Sequence, residues 1–475
     1  MIRLNILAIA FLLVSIPAIK AQQSNTLFFM HSVPQSNFIN PAVQAECRWF
    51  IGLPVISSVH VNLANNGFTV NQILESQEEG VYTFDADNLV NKLARTNYLS
   101  SEVYTHLLAI GHKRKDYYFT LSIRERDDFI AFYPRDLFAF AYRGNTQFEG
   151  EWISLDGTGV QFNHFREYAV GVSKKIDDYR TFGIRGKLLF GKLNLNTRKS
   201  TIGLYTQENT FDLIFLNDIK INGSLPVSLE IDDQGYYTIN DQYYTTISDI
   251  IFNRRNIGIA FDAGFISEFD EKITFSGSIL DVGAIFYRSN LTNYDVEGEF
   301  FYDGPMGDTI ATETYLNDII NTFTASSIIS NRSYVYFLQP RILIGATYKM
   351  NDRINFGGLV TGKIYRQKIQ SGLILSANTR FARYFAASLS WSYVHRSYNN
   401  LGAGLAVGRM PLQFYIISDN FIGMIWPQST KNLNLRFGFN IIFGCYRKEK
   451  ISGCGCYWIE KAEEKRERKY KLMNK

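Results

Sequence analysis

The chain alternates apolar and polar residues over long stretches, and residues 433–444, LNLRFGFNIIFG, show this pattern clearly. Apolar side chains occupy every odd position, while Asn434, Arg436 and Asn440 lie on even positions and Ile442 is the one exception. Successive side chains of a β-strand point to opposite faces, so the segment predicts a strand with one apolar and one polar face. A soluble sheet would bury the apolar face, whereas a membrane barrel would turn it towards lipid.

The repetition of this pattern helps to choose between the two arrangements. Segments with the same alternation recur from residue 117 to residue 444, some joined by turns as short as GRMP, residues 408–411. A tilted strand needs about ten residues to cross a bilayer, whereas strands of soluble sheets usually have about 5–6. The pattern therefore favours an all-β fold, a transmembrane antiparallel β-barrel of about 14 strands, over a soluble sandwich or a large periplasmic β protein.

Charged residues fall on the polar face of the predicted strands. An arginine or lysine that faces lipid at the middle of a bilayer costs about 2–4 kcal/mol, so we expect these side chains to point into the lumen. The predicted lumen-facing residues are Arg124, Glu167, Arg185, Lys187, Asp262, Arg341, Arg353, Lys363, Arg380 and Arg436. Two interpretations stay open: the row sets the polarity of a channel, or it forms salt bridges that fill the barrel and make it rigid.

The first residues have the features of a secretory signal. Arg3 precedes an apolar run at 4–16, Pro17 interrupts it, and Ala21 suits the position before a cleavage point. The apolar run is too short for a membrane-spanning helix, which needs about 20 residues. We therefore expect export of the chain with removal of residues 1–21.

Two regions differ from the barrel pattern. Residues 22–105 are predicted to form an N-terminal hatch or a periplasmic cap, although WFIGLPVISSVHVNL within them fits a strand. The barrel is expected to span residues 106–445, with a long loop at 289–339. Both regions also hold an amphipathic helical pattern.

The first helical pattern is DADNLVNKLARTN, which predicts a helix capped by Asp85 or Asp87. Its apolar stripe would consist of Leu89, Val90 and Leu93. The second pattern is TETYLNDIINTF, inside the long loop.

Residues 446–475 follow the last predicted strand and carry ten Lys or Arg against five Glu. Interleaved charges are typical of a solvated helix, so we expect a short helical periplasmic tail; docking to a partner or an acidic surface is the alternative. Cys445, Cys454 and Cys456 lie near its start. We expect a disulfide between Cys445 and one of the other two, because a zinc site needs a fourth ligand and C-x-C alone is a weak signature.

The composition argues against several other classes of protein. The 475 residues are 46% apolar and 15% aromatic, and the formal net charge is only +4. Basic residues that alternate into a lumen do not form the basic patch that binds nucleic acid. The six histidines are scattered, and neither G-x-S-x-G nor H-E-x-x-H occurs. We expect no enzymatic activity, no metal, no cofactor and no nucleic-acid partner, although catalytic groups from distant strands would leave no motif.

Several segments resemble known outer-membrane barrels. NFINPA at 38–43, with Asn40, Pro41 and Ala42 as its motif, resembles a segment found soon after the signal in barrels similar to long-chain fatty-acid transporters and type IX secretion membrane proteins. YAVGVSKKI, GIRGKLLFGKLNLNT and LQFYIISDN are similar to an uncharacterised outer-membrane barrel family typical of Bacteroidetes. The resemblance implies a β-barrel in the outer membrane of a Gram-negative cell, and it implies no particular activity.

Two functions are compatible with these features. The first is a passive channel or transporter for a small or hydrophobic solute, surrounded by outer-membrane lipid. The second is a non-enzymatic accessory or scaffold barrel of a secretion or assembly complex, which would dock other envelope proteins through the tail at 446–475 and the long loop.

Overall fold

The computed structural model describes residues 25–78, 81–225, 229–231, 237–239, 248, 252–302, 327–365, 368–381, 385–394 and 397–445. The predicted signal peptide, the charged tail with Cys454 and Cys456, and the helical pattern TETYLNDIINTF lie outside these residues. No helix in the described ranges is both long and apolar enough to cross a bilayer.

The strands dominate the described part of the chain, and twenty of them join in one sheet. In chain order they are β1 Cys47–Gly52, β2 Val59–Asn65, β3 Leu74–Glu78, β4 Val81–Phe84, β5 Thr96–Arg114, β6 Tyr117–Pro134, β7 Trp152–Ser154, β8 Gly159–Lys175, β9 Arg180–Thr206, β10 Leu213–Ser224, β11 Leu229–Ile231, β12 Tyr237–Ile239, β13 Asn256–Glu268, β14 Ile273–Tyr287, β15 Leu291–Tyr302, β16 Ser327–Ser330, β17 Tyr334–Phe337, β18 Arg341–Lys349, β19 Ile354–Tyr365, β20 Lys368–Phe381, β21 Phe385–Val394, β22 Ser397–Arg409, β23 Leu412–Ser418 and β24 Asn432–Cys445. The pairs β3–β4 and β11–β12 form two small separate sheets.

Some positions in the wall are built from consecutive strands. β1 and β2 both pair with β24 on one side and β5 on the other, and β10 and β13 both pair with β9. β14 and β15 together form another position. The position beside it consists of β16, β17 and β18: β17 and β18 pair with β14, and β16 pairs with β15. The described chain therefore forms a closed antiparallel barrel of 14 strands, which confirms the predicted fold class.

Four short α-helices accompany the strands in the described ranges: α1 Asn25–Phe29, α2 Ala86–Lys92, α3 Arg135–Arg143 and α4 Phe421–Ile425. Single 3₁₀ turns lie at Pro34–Phe38, Val70–Gln72, Thr146–Phe148 and Pro427–Ser429. α2 is the helix predicted from DADNLVNKLARTN: the Asp85 carboxylate accepts the backbone N–H of Asn88 at 2.8 Å. Its stripe of Leu89, Val90 and Leu93 is buried, as predicted.

The two ends of the barrel differ. One end, called the turn end, carries both Cys47 and Cys445 and short connections such as residues 115–116 and 410–411. The other, called the loop end, carries longer connections such as residues 66–95 and 135–158. The long strand β9 continues past the level of β13 at the loop end, where it pairs with β10, and β10 pairs in turn with β15.

One turn at the turn end shows how the short connections are held. The Asp177 carboxylate accepts the backbone N–H groups of Tyr179 and Arg180 at 2.9 and 2.8 Å, and also the guanidinium of Arg180. The hydrogen bond from the Arg180 side chain, together with the backbone N–H donors, lowers the pKa of the Asp177 carboxyl. Aspartate in this role is typical of tight turns.

The predicted apolar faces point away from the lumen. Val170 and Ile184 are 65% and 62% exposed, whereas their neighbours Glu167 and Arg185 are both 3% exposed. A large apolar outer face together with a polar inner face is the reverse of a soluble sandwich and is typical of a membrane barrel.

The barrel begins earlier than the predicted boundary at residue 106. Residues 47–65 form the first wall position, and the whole of β5 from Thr96 belongs to the wall, because β1 and β2 both pair with β5. Pro54 and a surface turn interrupt β1 and β2, which hid their pairing in the sequence. The predicted long loop at 289–339 is in part wall as well, since β15, β16 and β17 lie within it.

A disulfide joins the first and last wall positions. Cys47 pairs with Cys445, and the two residues lie opposite each other at the start of β1 and the end of β24. The predicted link between Cys445 and Cys454 or Cys456 is therefore wrong. The prediction used nearness in sequence, whereas barrel closure brings together residues that are 398 positions apart.

We expect the paired substitution Cys47→Ser and Cys445→Ser to lower the stability of the barrel by about 2–4 kcal/mol, because the bond restricts the unfolded chain across a very long loop. The midpoint of heat-induced unfolding, followed by gel migration of unheated samples, measures the loss. Cys454→Ser with Cys456→Ser is the matched control and should leave the midpoint unchanged. A wild-type peptide map that links Cys445 to either of those cysteines would contradict the assignment.

Candidate functional site

Residues 25–45, here called the plug, lie inside the barrel. They consist of α1, a connecting segment and the 3₁₀ turn at Pro34–Phe38, and almost every side chain is buried. The exposed fraction is 0% for Leu27 and 2% for Phe28. The plug makes no strand pairing with the wall, so its contacts are side-chain packing and individual hydrogen bonds.

The plug covers an apolar part of the inner wall. Leu27, Phe28, Phe29, Met30 and Val33 pack with inward-facing residues of several strands, namely Leu280, Leu343, Leu359, Ile374, Ala406, Tyr415 and Ile417. Most inner faces of membrane barrels are polar, so this patch is an exception that the plug shields from water.

Inward-facing glycines make room for the plug. A Cβ added at Gly183 would overlap the backbone of Pro41, and one added at Gly264 would overlap the side chain of Asn40. A Cβ added at any of four further glycines would likewise overlap a plug side chain: Gly345, Gly357, Gly402 and Gly404. The missing side chains thus shape an inner surface complementary to this segment.

The motif Asn40, Pro41, Ala42 fits two of these glycines. Asn40 folds its side chain back so that its oxygen accepts the N–H of Ala42 at 3.0 Å, while its amide donates to the Phe265 carbonyl at 3.2 Å. Pro41, between them, lies over Gly183. The motif therefore forms a tight turn that anchors the plug to β13 and β9.

Further hydrogen bonds tie the plug to strands all around the wall. Gln35 donates to the Ser57 carbonyl at 3.0 Å, and Arg185 donates to the Asn37 carbonyl at 2.9 Å. Others join Gln413 to Ser32 and Ser278 to Ile39. At the turn end, Arg380 forms an ion pair with Glu46, directly after the plug.

Buried charges form a second layer, here called the ionic layer. Its members project inward from eight strands: Glu102, Arg124, Arg126, Glu167, Arg185, Lys187, Asp262, Asp281, Arg341 and Lys363. The Lys187 ammonium lies 2.7 Å from Asp262 and 2.6 Å from Asp281, and Arg124 lies 2.6 Å from Glu167. Each pair joins different strands, so the layer braces the wall from inside.

Asp281 is the centre of this network. Its carboxylate is fully buried and lies 2.8 Å from Arg126 and 2.9 Å from Arg341, in addition to its contact with Lys187. A buried carboxylate needs such partners, because desolvation of an unpaired charge costs several kcal/mol. Lys363 and Glu102 form a further pair at 2.6 Å.

Aromatic rings extend the ionic layer towards β24. The guanidinium groups of Arg124 and Arg436 each lie 5.1 Å from the ring centroid of Tyr104, and Arg436 also donates to the Tyr104 hydroxyl. The His60 ring packs against the same ring at a tilt of 37°, with 4.4 Å between the centroids. Cations over an aromatic face are attracted by its quadrupole.

Eight of the ten predicted lumen-facing residues lie buried on the inner face: Arg124, Glu167, Arg185, Lys187, Asp262, Arg341, Lys363 and Arg436. Arg380 lies at the turn end and is only partly buried. Arg353 is an exception that corrects the prediction, because it is exposed in the turn before β19. The alternation was extended one residue too far, since the strand begins at Ile354.

Three members of the ionic layer were missed in the sequence. Arg126 has the same parity as Arg124, so the alternation does carry a signal for it. Glu102 lies in a region assigned to the hatch. Asp281 lies at a register shift between β13 and β14, where Leu280 and Asp281 are both buried on the inner side. A bulge of this kind breaks the period of two, and no sequence pattern announced it.

The plug and the ionic layer together occupy much of the lumen in the part of the chain that the structure describes. A cavity of about 220 Å³ lies between the plug and the wall at the turn end, lined by residues that include Ser32, Glu46, Arg380, Gln413 and Ile442. Among the described residues, no group of His, Cys, Asp and Glu has the arrangement of a metal site.

The comparison with protein families gives one match. The model of a family described as a family of unknown function, DUF5723, matches residues 41–419. This range contains nearly the whole wall up to the end of β23, together with the last residues of the plug. No curated protein matches the chain.

Solved structures similar to this chain are barrels with very different sequences. The toluene transporter TbuX of Ralstonia pickettii is 9% identical over 86% of this chain and 94% of its own, with a TM-score of 0.40. A FadL homologue of Pseudomonas aeruginosa is 9% identical over 90% and 100%, with a TM-score of 0.39. The toluene transporter TodX of Pseudomonas putida is 7% identical over 89% and 94%, with a TM-score of 0.34. Likeness at these scores carries no activity over to this chain.

We expect Gly183→Ala to displace the plug, because the new methyl group meets the Pro41 backbone and overpacking typically costs about 1–3 kcal/mol. Gly186→Ala is the matched control: it lies on the same strand, and an added Cβ there has nothing within 4 Å. Chymotrypsin, which cleaves after phenylalanine, should attack the plug faster in Gly183→Ala than in wild type or the control. Equal cleavage of the two variants would contradict this role of Gly183.

Proposed function

We propose that this chain, which belongs to the family of unknown function DUF5723, is a passive and non-enzymatic outer-membrane channel for a small or hydrophobic solute. One observation carries the proposal: the barrel wall closes independently of the segment that blocks its lumen. A wall complete without its plug can keep its structure while the plug moves.

The outer membrane is the location that best fits the barrel. The wall presents large apolar side chains outward, and its strands close into a barrel, the arrangement that lets strands cross hydrocarbon. In bacterial outer-membrane barrels, short turns face the periplasm and longer loops face outward. By this rule the turn end, with Cys47 and Cys445, is periplasmic, which also agrees with the signal sequence predicted at residues 1–21.

The two layers in the lumen differ in how firmly they are fixed. The ionic layer consists of side chains from wall strands, so it stays with the barrel. The plug is covalently attached to the wall through residue 46 and is held by packing and individual hydrogen bonds, each worth about 0.5–1.5 kcal/mol between neutral groups and about 1.5–3 kcal/mol where one group is charged. Withdrawal of the plug towards the turn end would open that half of the lumen without breaking any strand pair.

The inner wall beneath the plug indicates the kind of solute. Leu343, Leu359, Ile374 and Ile417 face the lumen and are covered by plug side chains. When the plug moves, this patch becomes available to an apolar solute, while the ionic layer above it presents charge to a polar one. A solute with an apolar body would therefore gain binding free energy from the patch, at about 25 cal/mol per Å² of buried surface.

Deletion of residues 25–45 tests the channel directly. In planar lipid bilayers the shortened protein should give discrete conductance steps that the full chain lacks or shows rarely, because the largest obstruction has been removed. Gly183→Ala should give intermediate opening, and Gly186→Ala should behave as wild type. A correctly folded deletion variant that stays non-conducting, with Gly183→Ala equally silent, would refute the proposal.

The apolar patch can be tested in the same shortened barrel. Leu359→Asn should slow the uptake of an apolar fluorescent solute into liposomes on the order of tenfold, since a leucine contact contributes about 1.5–3 kcal/mol. Thr361→Asn is the control, because Thr361 faces inward on the same strand and is already polar. If both variants transport the solute equally well, the patch has no part in solute selection.

A further inference from the structure

Two adjacent residues of the plug, Asn37 and Phe38, make close contacts with a charged and an aromatic group of the wall. Both are almost fully buried, with exposed fractions of 3% and 6%. Their wall partners are Arg185 of β9 and His106 of β5, which are 3% and 1% exposed. Because Arg185 is also a member of the ionic layer, the four residues lie where the plug meets that layer.

Asn37 presents two oxygen atoms to the Arg185 guanidinium. Nη2 of Arg185 donates to the backbone carbonyl oxygen of Asn37 at 2.9 Å and also to its side-chain oxygen. The Asn37 amide nitrogen donates to the carbonyl oxygens of Pro41 and Val43 at 3.1 and 2.6 Å, which holds the side-chain oxygen towards the wall. A carboxylate would supply two such oxygens, and an ionised acceptor makes a hydrogen bond about twice as strong as a neutral one. Asn37 therefore occupies with neutral groups a place that suits a carboxylate.

The acidic partner of Arg185 is held mainly by other groups. Nη1 of Arg185 lies 3.4 Å from the Asp262 carboxylate. That carboxylate lies 2.7 Å from the Lys187 ammonium and accepts the backbone N–H of Asp281 at 2.8 Å. Withdrawal of the plug would take both Asn37 oxygens away from Arg185, and a buried guanidinium that loses acceptors needs replacements, since unsatisfied donors are costly.

The Phe38 ring occupies a slot in the inner wall, here called the ring slot and formed by His106, Arg185, Phe50 and Ala109. The His106 imidazole stacks on the ring with 4.5 Å between the centroids and 26° between the planes. The Arg185 guanidinium carbon lies 4.9 Å from the ring centroid, and Phe50 and Ala109 pack in the same cluster as the ring. Ring stacking and the attraction of a cation to an aromatic face both favour a flat aromatic group over a saturated one.

We propose that Arg185 and His106 form a binding site for the aromatic carboxylate part of a solute, and that Asn37 and Phe38 fill this site while the plug is in place. The inference rests on the proposed channel, because a solute reaches the ring slot only where the plug withdraws. Solute and plug compete for the same wall groups, so a solute of this class stabilises the open state through its differential affinity.

Isothermal titration calorimetry of the full-length protein in detergent tests the site, with benzoate as the probe. Asn37→Gly combined with Phe38→Ala, here called the slot variant, removes the side-chain oxygen and the ring and leaves the other plug residues unchanged. A cavity left by a removed side chain can bind a molecule as large as benzene. The slot variant should bind benzoate about tenfold more tightly than benzamide, which has the same ring and no charge. It should prefer benzoate about threefold over cyclohexanecarboxylate, which has the charge and no flat ring.

Single substitutions in the slot variant assign each preference to a residue. Arg185→Gln should abolish the preference for benzoate over benzamide, and His106→Leu should abolish the preference over cyclohexanecarboxylate. Arg180→Gln is the control, because Arg180 begins the same strand, lies exposed at the turn end and should affect neither preference. Arg185→Lys keeps the buried charge and should still weaken benzoate binding, since lysine lacks the planar paired donors of arginine. Unheated gel migration verifies that each barrel is folded.

Equal binding of the three probes by the slot variant would overturn the proposal, and so would preferences that survive Arg185→Gln and His106→Leu. Wild-type protein separates this result from the channel proposal. Its affinity for benzoate should be lower than that of the slot variant, because only molecules with a withdrawn plug offer the site. If wild type binds no benzoate while the slot variant shows both preferences, the plug does not move and the channel proposal fails, whereas the assignment of the site stands.

Discussion

A backbone in hydrocarbon must pair all its N–H and C=O groups with itself, and the structure depends on this constraint. It explains why the wall closes, why interrupted strands such as β1 and β2 share one position, and why β24 pairs with both of them. It also explains the outer face. Because the apolar side chains face lipid, the polar side chains face the lumen, and the charges buried there need partners.

The lumen meets this demand in two different ways. The ionic layer pairs Arg, Lys, Asp and Glu from separate strands, with Asp281 between three cations. Near the turn end the inner wall is instead apolar or glycine, and the N-terminal segment supplies matching side chains and turns. Arg185 connects the two, since it contacts Asp262 in the ionic layer and Asn37 in the plug. The charges brace the wall from within, and the plug, a separate segment, occupies the lumen near the turn end. The molecule thus combines a rigid wall with a removable part.

The sequence predicts the wall well and its interior unevenly. Alternation identified the barrel class, the outward faces and eight inward charges, because lipid and lumen impose opposite polarity on neighbouring residues of one strand. It was wrong for Arg353, where a turn ends the alternation, and it missed Asp281, where a bulge shifts the register. It did not reveal the pairing of Cys47 with Cys445 or the fit of Pro41 to Gly183, because both depend on chain segments that meet only when the barrel closes. Local periodicity records the environment of a residue and not its distant partner.

The Cys47–Cys445 bond changes the topology of the molecule. With that bond in place, residues 47–445 form a covalent macrocycle that contains every wall strand, and the plug and the C-terminal tail are pendant arms attached at the same point. The first and last wall strands therefore cannot fray freely from their chain ends. Either arm can move, bind or be cut while the ring stays closed, so the mechanical integrity of the barrel is separated from the state of its plug.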